Sequence, residues 1–255
     1  GRRIVPRDAI PPGADIDRQA YGDREDFFYR GVRDVRPVWD YTGDGIRRSL
    51  EESLARLGMD RVDIVYVHDP EAHLEQALGE AWPALDRLRA EGTVGAIGFG
   101  VDYTAPLAWL LERSDPDVVL VAGRYTLLDQ SALDAVLPSC DAKGVSVVIG
   151  GVMNSGLLAD PRPGATYDYA PADAVVVARA QRIRAVCERH GVTLRAAAVR
   201  FVLAHPAVAS IVAGVRRTAH LDEYPALYRT PVPSGMWEEL RAEWLLDPRA
   251  PVPAR

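Results

Sequence analysis

Polar side chains, several of them titratable, follow short apolar runs in this sequence, at positions suited to catalysis or ligand binding. His68 follows the mostly apolar run Val62–Val67, and an imidazole can donate or accept a proton near neutral pH. Taken alone, His68 is more simply explained as a structural histidine at a strand end. The same layout recurs after four later runs, and this favours a functional interpretation. The polar residues at those four ends are Asp102, Arg124, Asn154 with Ser155, and Arg216 with Arg217.

The elements that would position these residues are buried strands. The five runs are short and rich in Val and Ile, as strands of a parallel sheet are. Helical patterns lie between most of them, so the sequence predicts an α/β fold whose strands end at one edge, where ligands bind. The predicted strands are Arg61–His68, Val94–Val101, Val118–Gly123, Val145–Val152 and Val208–Val215.

The number of predicted strands leaves two architectures open. A closed (β/α)8 barrel needs eight strands in about 250 residues, yet the first sixty residues show no buried-strand pattern. The chain is therefore either an open five-stranded sheet or a barrel whose first strands are not in this sequence. In both cases we expect a single domain over residues 1–255.

Both ends of the chain are predicted to be irregular. Residues 1–40 are expected to form an aromatic-containing loop, and the Pro-rich tail, residues 247–255, is expected to be frayed. Phe28 lies in that loop, and Trp39 and Tyr41 lie at its end. These aromatic side chains either pack against the first helix or form a lid on the substrate side.

Composition excludes several classes of function. The net charge of −6 argues against nucleic-acid binding, and no apolar run reaches the ~18 residues of a membrane span. The two cysteines, Cys140 and Cys187, suggest neither a disulfide framework nor a metal site, so we expect free thiols, no metal and a cytoplasmic location. An oligomer is possible.

Several segments resemble one enzyme family. Residues 44–70 (DGIRRSLEESLARLGMDRVDIVYVHDP) resemble the segment of aldo-keto reductases that carries a catalytic histidine. Residues 122–134, 150–159 and 204–216 resemble the branch of D-threo-aldose 1-dehydrogenases and L-fucose dehydrogenases. The resemblance implies a (β/α)8 TIM barrel, with about five of its eight strands present here. It also implies hydride transfer that uses NAD or NADP without a Rossmann motif.

The same resemblance implies roles for individual residues. His68 is the one member present of a catalytic set of Asp, Tyr, Lys and His, and the other three would precede Gly1. Residues expected at the nicotinamide carboxamide are Asp102 and Arg124. Those expected along the pyrophosphate are Asn154, Ser155, Gly156 and Leu157. Those expected around the adenosine end are Gly214, Arg216, Arg217 and Glu223.

The adjacent Arg216 and Arg217 favour NADP over NAD, because a guanidinium can bind a 2′-phosphate in a bidentate manner. The alternative is that both are solvated charges at a strand end. Asp102 departs from the family pattern, in which Asn is common, and a carboxylate cannot donate to an amide oxygen.

Two functional hypotheses follow. The first is an NAD(P)-dependent oxidoreductase that acts on an aldose or another small carbonyl or alcohol substrate. The second is a non-catalytic barrel remnant that binds a nucleotide or a protein partner.

Overall fold

A computed structural model of the chain describes residues 1–16, 34–215 and 217–253. Those residues divide into two units, 1–100 and 101–255. All five predicted strands form, within a few residues of their predicted bounds. The prediction of a single domain stays a prediction.

The first unit alternates strands and helices after a short antiparallel pair. Its elements are β1 Arg2–Pro6, β2 Val35–Trp39, α1 Gly43–Leu57, β3 Val62–His68, α2 Leu74–Gln76, a π turn Ala77–Ala81, α3 Trp82–Ala90 and β4 Val94–Val101, which ends at the unit boundary. β3 and β4 are parallel, with Val62 opposite Val94 and His68 opposite Gly100. This pairing positions His68 at the carboxyl end of its strand.

The residues at both ends of helix α1 explain where it begins and stops. The side chain of Thr42 accepts the Gly45 N–H at 3.0 Å, and Gly58 ends the helix at a φ of 66°. Ile46 and Leu50 lie on the apolar face of the helix and are buried. Leu57, at the C-terminal end of the helix, is 60% exposed.

Strand β3 is less buried than its sequence predicts. Val67 is 1% exposed, but Ile64 is 47% exposed. β3 is the end strand of its sheet, and a groove of about 340 Å3 runs beside it, lined by Ile46, Leu50, Ile64 and Tyr66 among others. Apolar composition predicted the strand correctly, but burial depends on what covers each face.

Residues 1–40 are not simply a loop. β1 and β2 pair in antiparallel register, with Arg2 opposite Trp39 and Pro6 opposite Val35. Each strand has only five residues and contains Arg and Pro, so the alternation that marks a strand is too short to recognise. The pairing places Arg2 and Trp39 side by side.

The second unit also alternates strands and helices along the chain. Its elements are α4 Thr104–Arg113, β5 Val118–Ala122, α5 Val136–Lys143, β6 Ser146–Gly150, β7 Thr166–Tyr167, β8 Ala170–Pro171, α6 Ala174–Arg189, α7 Leu194–Val202, β9 Val208–Ile211, α8 Ala219–Arg229 and α9 Ser234–Ala242. β5, β6 and β9 are parallel neighbours, and the centre of β6 is fully buried at Val147 and Ile149. β7 and β8 form a small antiparallel hairpin after β6.

The tail is anchored rather than frayed through residue 250. Ala250 is fully buried, and its carbonyl accepts a hydrogen bond from Arg241 at 2.8 Å. The Asp247 N–H donates to Gln130, and Arg249 donates to Asp134 at 2.8 Å. Gln130 and Asp134 are more than a hundred residues from the tail in sequence. Local composition therefore could not predict these two contacts. Residues 254–255 lie outside the described part of the chain.

We expect Gly95→Ala to destabilise the first unit. A Cβ at Gly95 would lie 2.7 Å from the backbone oxygen of Asp63, so β3 and β4 would have to separate. The cost should be about 1–3 kcal/mol in the free energy of unfolding, as for other overpacked sites. Gly79→Ala is the matched control, because a Cβ there meets no atom within 4 Å. Equal urea midpoints for the two variants would contradict this prediction.

Candidate functional site

The backbone around His68 is held by a buried tyrosine. The Tyr41 hydroxyl lies 2.8 Å from the carbonyl oxygen of His68 and also contacts the carbonyl of Asp69. Tyr41 is fully buried, and Asp69 has a φ of 48°, in the left-handed region. The chain therefore turns sharply after β3 and leaves the His68 side chain 56% exposed at the strand end.

Arg2 contacts both the ring of His68 and the carboxylate of Asp69. Its Nη2 lies 3.0 Å from His68 Nδ1 and 2.6 Å from Asp69 Oδ2. Because arginine has no acceptor, a hydrogen bond from Arg2 to Nδ1 requires a neutral ring with its hydrogen on Nε2. The His68–Asp69 contact, at 3.2 Å, would require the opposite tautomer. We favour Nε2–H, because Asp69 Oδ2 already receives the shorter bond from Arg2.

Two of the three aromatic residues predicted to contact substrate, Trp39 and Tyr41, lie in the described part of the chain. Trp39 stacks on Tyr41 with ring centroids 5.9 Å apart, and the Arg2 guanidinium lies 4.9 Å from the Trp39 ring. Tyr41 is buried, so it packs and positions rather than forming a lid. Trp39 is only partly buried. Phe28 lies outside the described residues.

In the second unit, Arg124 joins three segments. Its Nε donates to the carbonyl of Asp102 at 2.7 Å. Its Nη1 donates to Asp129 Oδ2 at 3.2 Å, and its Nη2 donates to Asp168 Oδ2 at 2.7 Å. The guanidinium also lies 5.3 Å from the Tyr103 ring and is 12% exposed. Arg124, predicted to meet the carboxamide, is thus engaged by its own chain.

The charges in this cluster change the acidity of its members. Burial by itself lowers the pKa of Arg124, but Asp168 and then Asp129 outweigh it and raise that pKa above its ordinary value. Burial, followed by the charges of Asp129 and Asp168, raises the pKa of Tyr167 to about 12. Arg124 is therefore permanently charged, and Tyr167 is neutral at physiological pH.

Asn154 lies beside this cluster and keeps one acceptor unused. Its Nδ2 donates to the carbonyl of Gly123 at 3.2 Å, and the residue is 2% exposed. Its Oδ1 is buried without a hydrogen-bond partner among the described residues. Gly123 and Gly151 approach closely, since a Cβ on Gly151 would lie 3.1 Å from the Gly123 nitrogen at a φ of 61°. These residues line a cavity of about 190 Å3 with Asp102, Arg124 and Asp168.

The turn after Asn154 uses its own hydrogen-bonding groups. The N–H groups of Gly156 and Leu157, predicted to follow a pyrophosphate, donate to the carbonyls of Met153 and Asn154. Leu157 is fully buried. Ser155 has a φ of 57° and its Oγ accepts the Tyr169 N–H at 3.4 Å, so the turn holds the β7–β8 hairpin.

The residues predicted for the adenosine end lie around the start of α8. Arg217 lies 3.0 Å from His220 Nε2, and Glu223 accepts a hydrogen bond from Arg195 at 2.8 Å. That bond lowers the pKa of Glu223 below its usual value. Gly214 is exposed, and Arg216 lies outside the described residues.

Four residues of these two clusters were not predicted: Arg2, Asp69, Asp129 and Asp168. Asp69 and Asp129 follow predicted strands within a few residues, so position alone could have suggested them. Arg2 and Asp168 are 66 and 44 residues from the side chains they contact, and no local pattern marks them.

Within the described residues, no group of three or more His, Cys, Asp or Glu side chains could hold a metal ion. The described helices include none with the length and apolarity needed to cross a membrane.

Comparison with known proteins gives a consistent relationship. The sequence pattern that defines the Aldo/keto reductase family matches residues 31–244. A D-threo-aldose 1-dehydrogenase from Pseudomonas sp is 44% identical over 210 residues, which are 81% of this chain and 64% of that protein. A pyridoxal 4-dehydrogenase from Microbacterium luteolum is 39% identical over 223 residues, which are 83% of this chain and 65% of that protein. The chain spans slightly under two thirds of the length of these curated relatives.

Solved structures show the same fold. An aldo-keto reductase from Bacillus halodurans, in its holo form, matches with a TM-score of 0.66 at 23% identity over 85% of this chain and 71% of that one. A glycerol dehydrogenase from Gluconobacter oxydans matches with a TM-score of 0.63 at 17% identity. The match covers 88% of this chain and 70% of that one. The predicted barrel fold class is confirmed.

We expect Tyr41→Phe to lower stability. The change removes the hydroxyl that donates to the carbonyls of His68 and Asp69, and it leaves a buried acceptor without that donor. The free energy of unfolding should fall by about 1–2 kcal/mol. Urea unfolding measures the loss. Tyr228→Phe is the control, because that side chain is 50% exposed and should lose under about 0.5 kcal/mol. If both variants lose the same amount, the Tyr41 hydroxyl does not hold this turn.

We expect Arg124→Lys to destabilise the second unit by about 1–3 kcal/mol, because an ammonium cannot reach the three acceptors that the guanidinium joins. Thermal unfolding and proteolysis near residues 166–171 should both report it. Arg162→Lys changes an exposed pair with Asp160 and should have little effect. An unchanged melting temperature for Arg124→Lys would contradict the proposed anchoring role.

Proposed function

The chain belongs to the aldo/keto reductase family, and from that premise we propose that the protein is an NAD(P)-dependent oxidoreductase acting on an aldose or another small carbonyl compound. The observation that carries this proposal is the 44% identity with a D-threo-aldose 1-dehydrogenase over most of the chain. The relative named as a pyridoxal 4-dehydrogenase supports the wider class of small carbonyl or alcohol substrates.

The second unit has features that suit a nicotinamide cofactor. The buried Asn154 Oδ1 has no partner among the described residues and can accept from a carboxamide N–H. In this proposal Asn154 lies at the carboxamide with Asp102, rather than along the pyrophosphate as the resemblance implied, and Arg217 and Glu223 would lie toward the adenosine end. The adjacent Arg216 and Arg217 support NADP over NAD. A bound cofactor would supply the hydride donor or acceptor.

His68 has a position and tautomer that suit a carbonyl substrate. Negative charge develops on a carbonyl oxygen as hydride adds to its carbon, and a donor aimed at that oxygen stabilises the charge. The Nε2–H of a neutral imidazole is such a donor, and the contact of Arg2 with Nδ1 supports that tautomer. In this proposal His68 orients substrate and stabilises charge, and a separate group supplies the proton.

We expect His68→Gln to lower kcat by about 100-fold, the usual cost of losing one well-aimed donor to a developing oxyanion. The assay follows the absorbance of the reduced nicotinamide with D-threo aldoses and with pyridoxal. Cofactor dissociation constants should stay the same, which separates a catalytic role from misfolding. His190→Gln is the control, because His190 pairs with Glu239 at 2.6 Å between α6 and α9.

Two results would count against the proposal. If His68→Gln keeps activity within about threefold of the wild type, His68 is a structural strand-end residue. If the protein binds NADP or NAD but turns over none of these substrates, the non-catalytic nucleotide-binding alternative is supported instead.

A further inference from the structure

Helix α9 is followed by a tryptophan in an unusual backbone conformation. Trp244 has a φ of 59°, and the chain reverses around it, since the N–H of Leu245 donates to the carbonyl of Leu240 at 2.9 Å. Glycine is favoured at such a position after a helix, because a Cβ there crowds the backbone. Trp244 therefore strains the backbone at a site where glycine would not.

The Trp244 ring is not part of the core. Trp244 is 85% exposed, whereas Trp237 of the same helix is 1% exposed. Arg179 of α6 holds the backbone beneath the ring, because it donates to the carbonyls of Trp244 and Leu245 at 3.3 and 2.7 Å. A bulky ring that is strained, anchored and exposed adds little buried surface to this chain. It indicates a contact with another molecule, for which tryptophan is the most favourable anchor.

A groove lies beside this ring. It runs between residues 128–134, the start of α6 and the tail, and we call it the tail groove. Its volume is about 360 Å3, within the range of pockets that hold a small ring system. Arg179, which holds the Trp244 carbonyl, lines the tail groove, and so does Asp247, three residues after Trp244. The ring and the groove are therefore neighbours on the surface of the second unit.

The lining of the tail groove suits an indole ring. Leu128 and Val176 supply an apolar wall. The guanidinium groups of Arg179 and Arg249 can contact the face of an aromatic ring. The Asp134 carboxylate, which is 70% exposed, can accept the indole N–H.

The charges on the two sides also complement each other. The tail groove has a net charge of −1, because its lining holds Asp129, Asp134 and Asp247 but only two arginines. On the side of the ring, Arg182 is 57% exposed, and it donates to the carbonyl of Glu243, next to Trp244, at 3.0 Å. Opposite charges across an interface favour association of the correct surfaces.

We propose that this surface is a two-fold interface between two copies of this chain, in which the Trp244 ring of each copy enters the tail groove of the other. One face carries both the ring and the groove, so a two-fold rotation fills both grooves at once. Val175 is 80% exposed and lies four residues before Arg179, on the same side of α6, so it adds apolar contact. The proposal does not depend on the catalytic activity.

Sedimentation equilibrium of the full chain tests the proposal, at protein concentrations from about 1 to 100 μM. We expect a monomer–dimer equilibrium without larger species, because a two-fold interface closes on itself. The melting temperature should rise with protein concentration over the same range, because dimerisation stabilises the folded chain by mass action.

Trp244→Gly should raise the dimer dissociation constant about 30-fold or more, as the loss of a tryptophan hot spot does. At concentrations where the wild type is monomeric, the melting temperature of this variant should not fall, because glycine is favoured at a φ of 59°. Weaker association without a loss of stability separates an interface residue from a structural one.

Ser131→Phe tests the other side of the contact, because Ser131 lines the tail groove and a phenyl ring there would occupy it. It should weaken association by a similar factor, and it keeps the test valid if Trp244→Gly misfolds. Tyr169→Gly is the matched control. Tyr169 is also an exposed aromatic residue at a positive φ, 68% exposed at 62°, but it lines a different cavity, so the dissociation constant should not change.

Each contrary result has a distinct meaning. A monomer throughout the concentration range overturns the proposal. A dimer whose dissociation constant is the same in Trp244→Gly and Ser131→Phe as in the wild type uses another surface, and this also overturns it. Weaker association in Trp244→Gly alone, with Ser131→Phe folded and unchanged, overturns the tail groove as the site of the ring. Assemblies that grow beyond the dimer overturn the two-fold arrangement.

Discussion

One guanidinium joins the loops at the strand ends of the second unit. Arg124 follows β5 and joins three segments: the carbonyl of Asp102 after β4, the carboxylate of Asp129 in its own loop, and Asp168 in the β7–β8 hairpin. A charge that is 12% exposed is stable only with such compensation. The three acceptors come from different segments of the chain, and each of them accepts a hydrogen bond from the same Arg124 guanidinium.

The first unit uses the same type of interaction at its strand end. Arg2 contacts both His68 and Asp69, and the buried Tyr41 hydroxyl holds the backbone carbonyls beneath them. The left-handed Asp69 turns the chain away from the ring, which leaves His68 exposed. Position, tautomer and exposure of one imidazole thus follow from two side chains outside its strand.

The two clusters have complementary chemistry for the proposed function. The first presents an N–H donor, suited to an oxygen on which negative charge develops. The second presents the buried Asn154 Oδ1, suited to accept from an amide N–H.

The sequence by itself determined the five parallel strands and the strand-end positions of His68, Asp102, Arg124 and Asn154, because β-branched apolar runs are local features. It also determined the family, because several quoted segments combine into one pattern. Only the tertiary structure decided what those side chains do. Arg124 became an anchor because Asp168, 44 residues away, compensates it, and Tyr41 became a support because it is buried beneath His68. The tail was ordered by contacts with Gln130 and Asp134. Such contacts depend on which distant residues meet, and this information is absent from any local stretch of sequence.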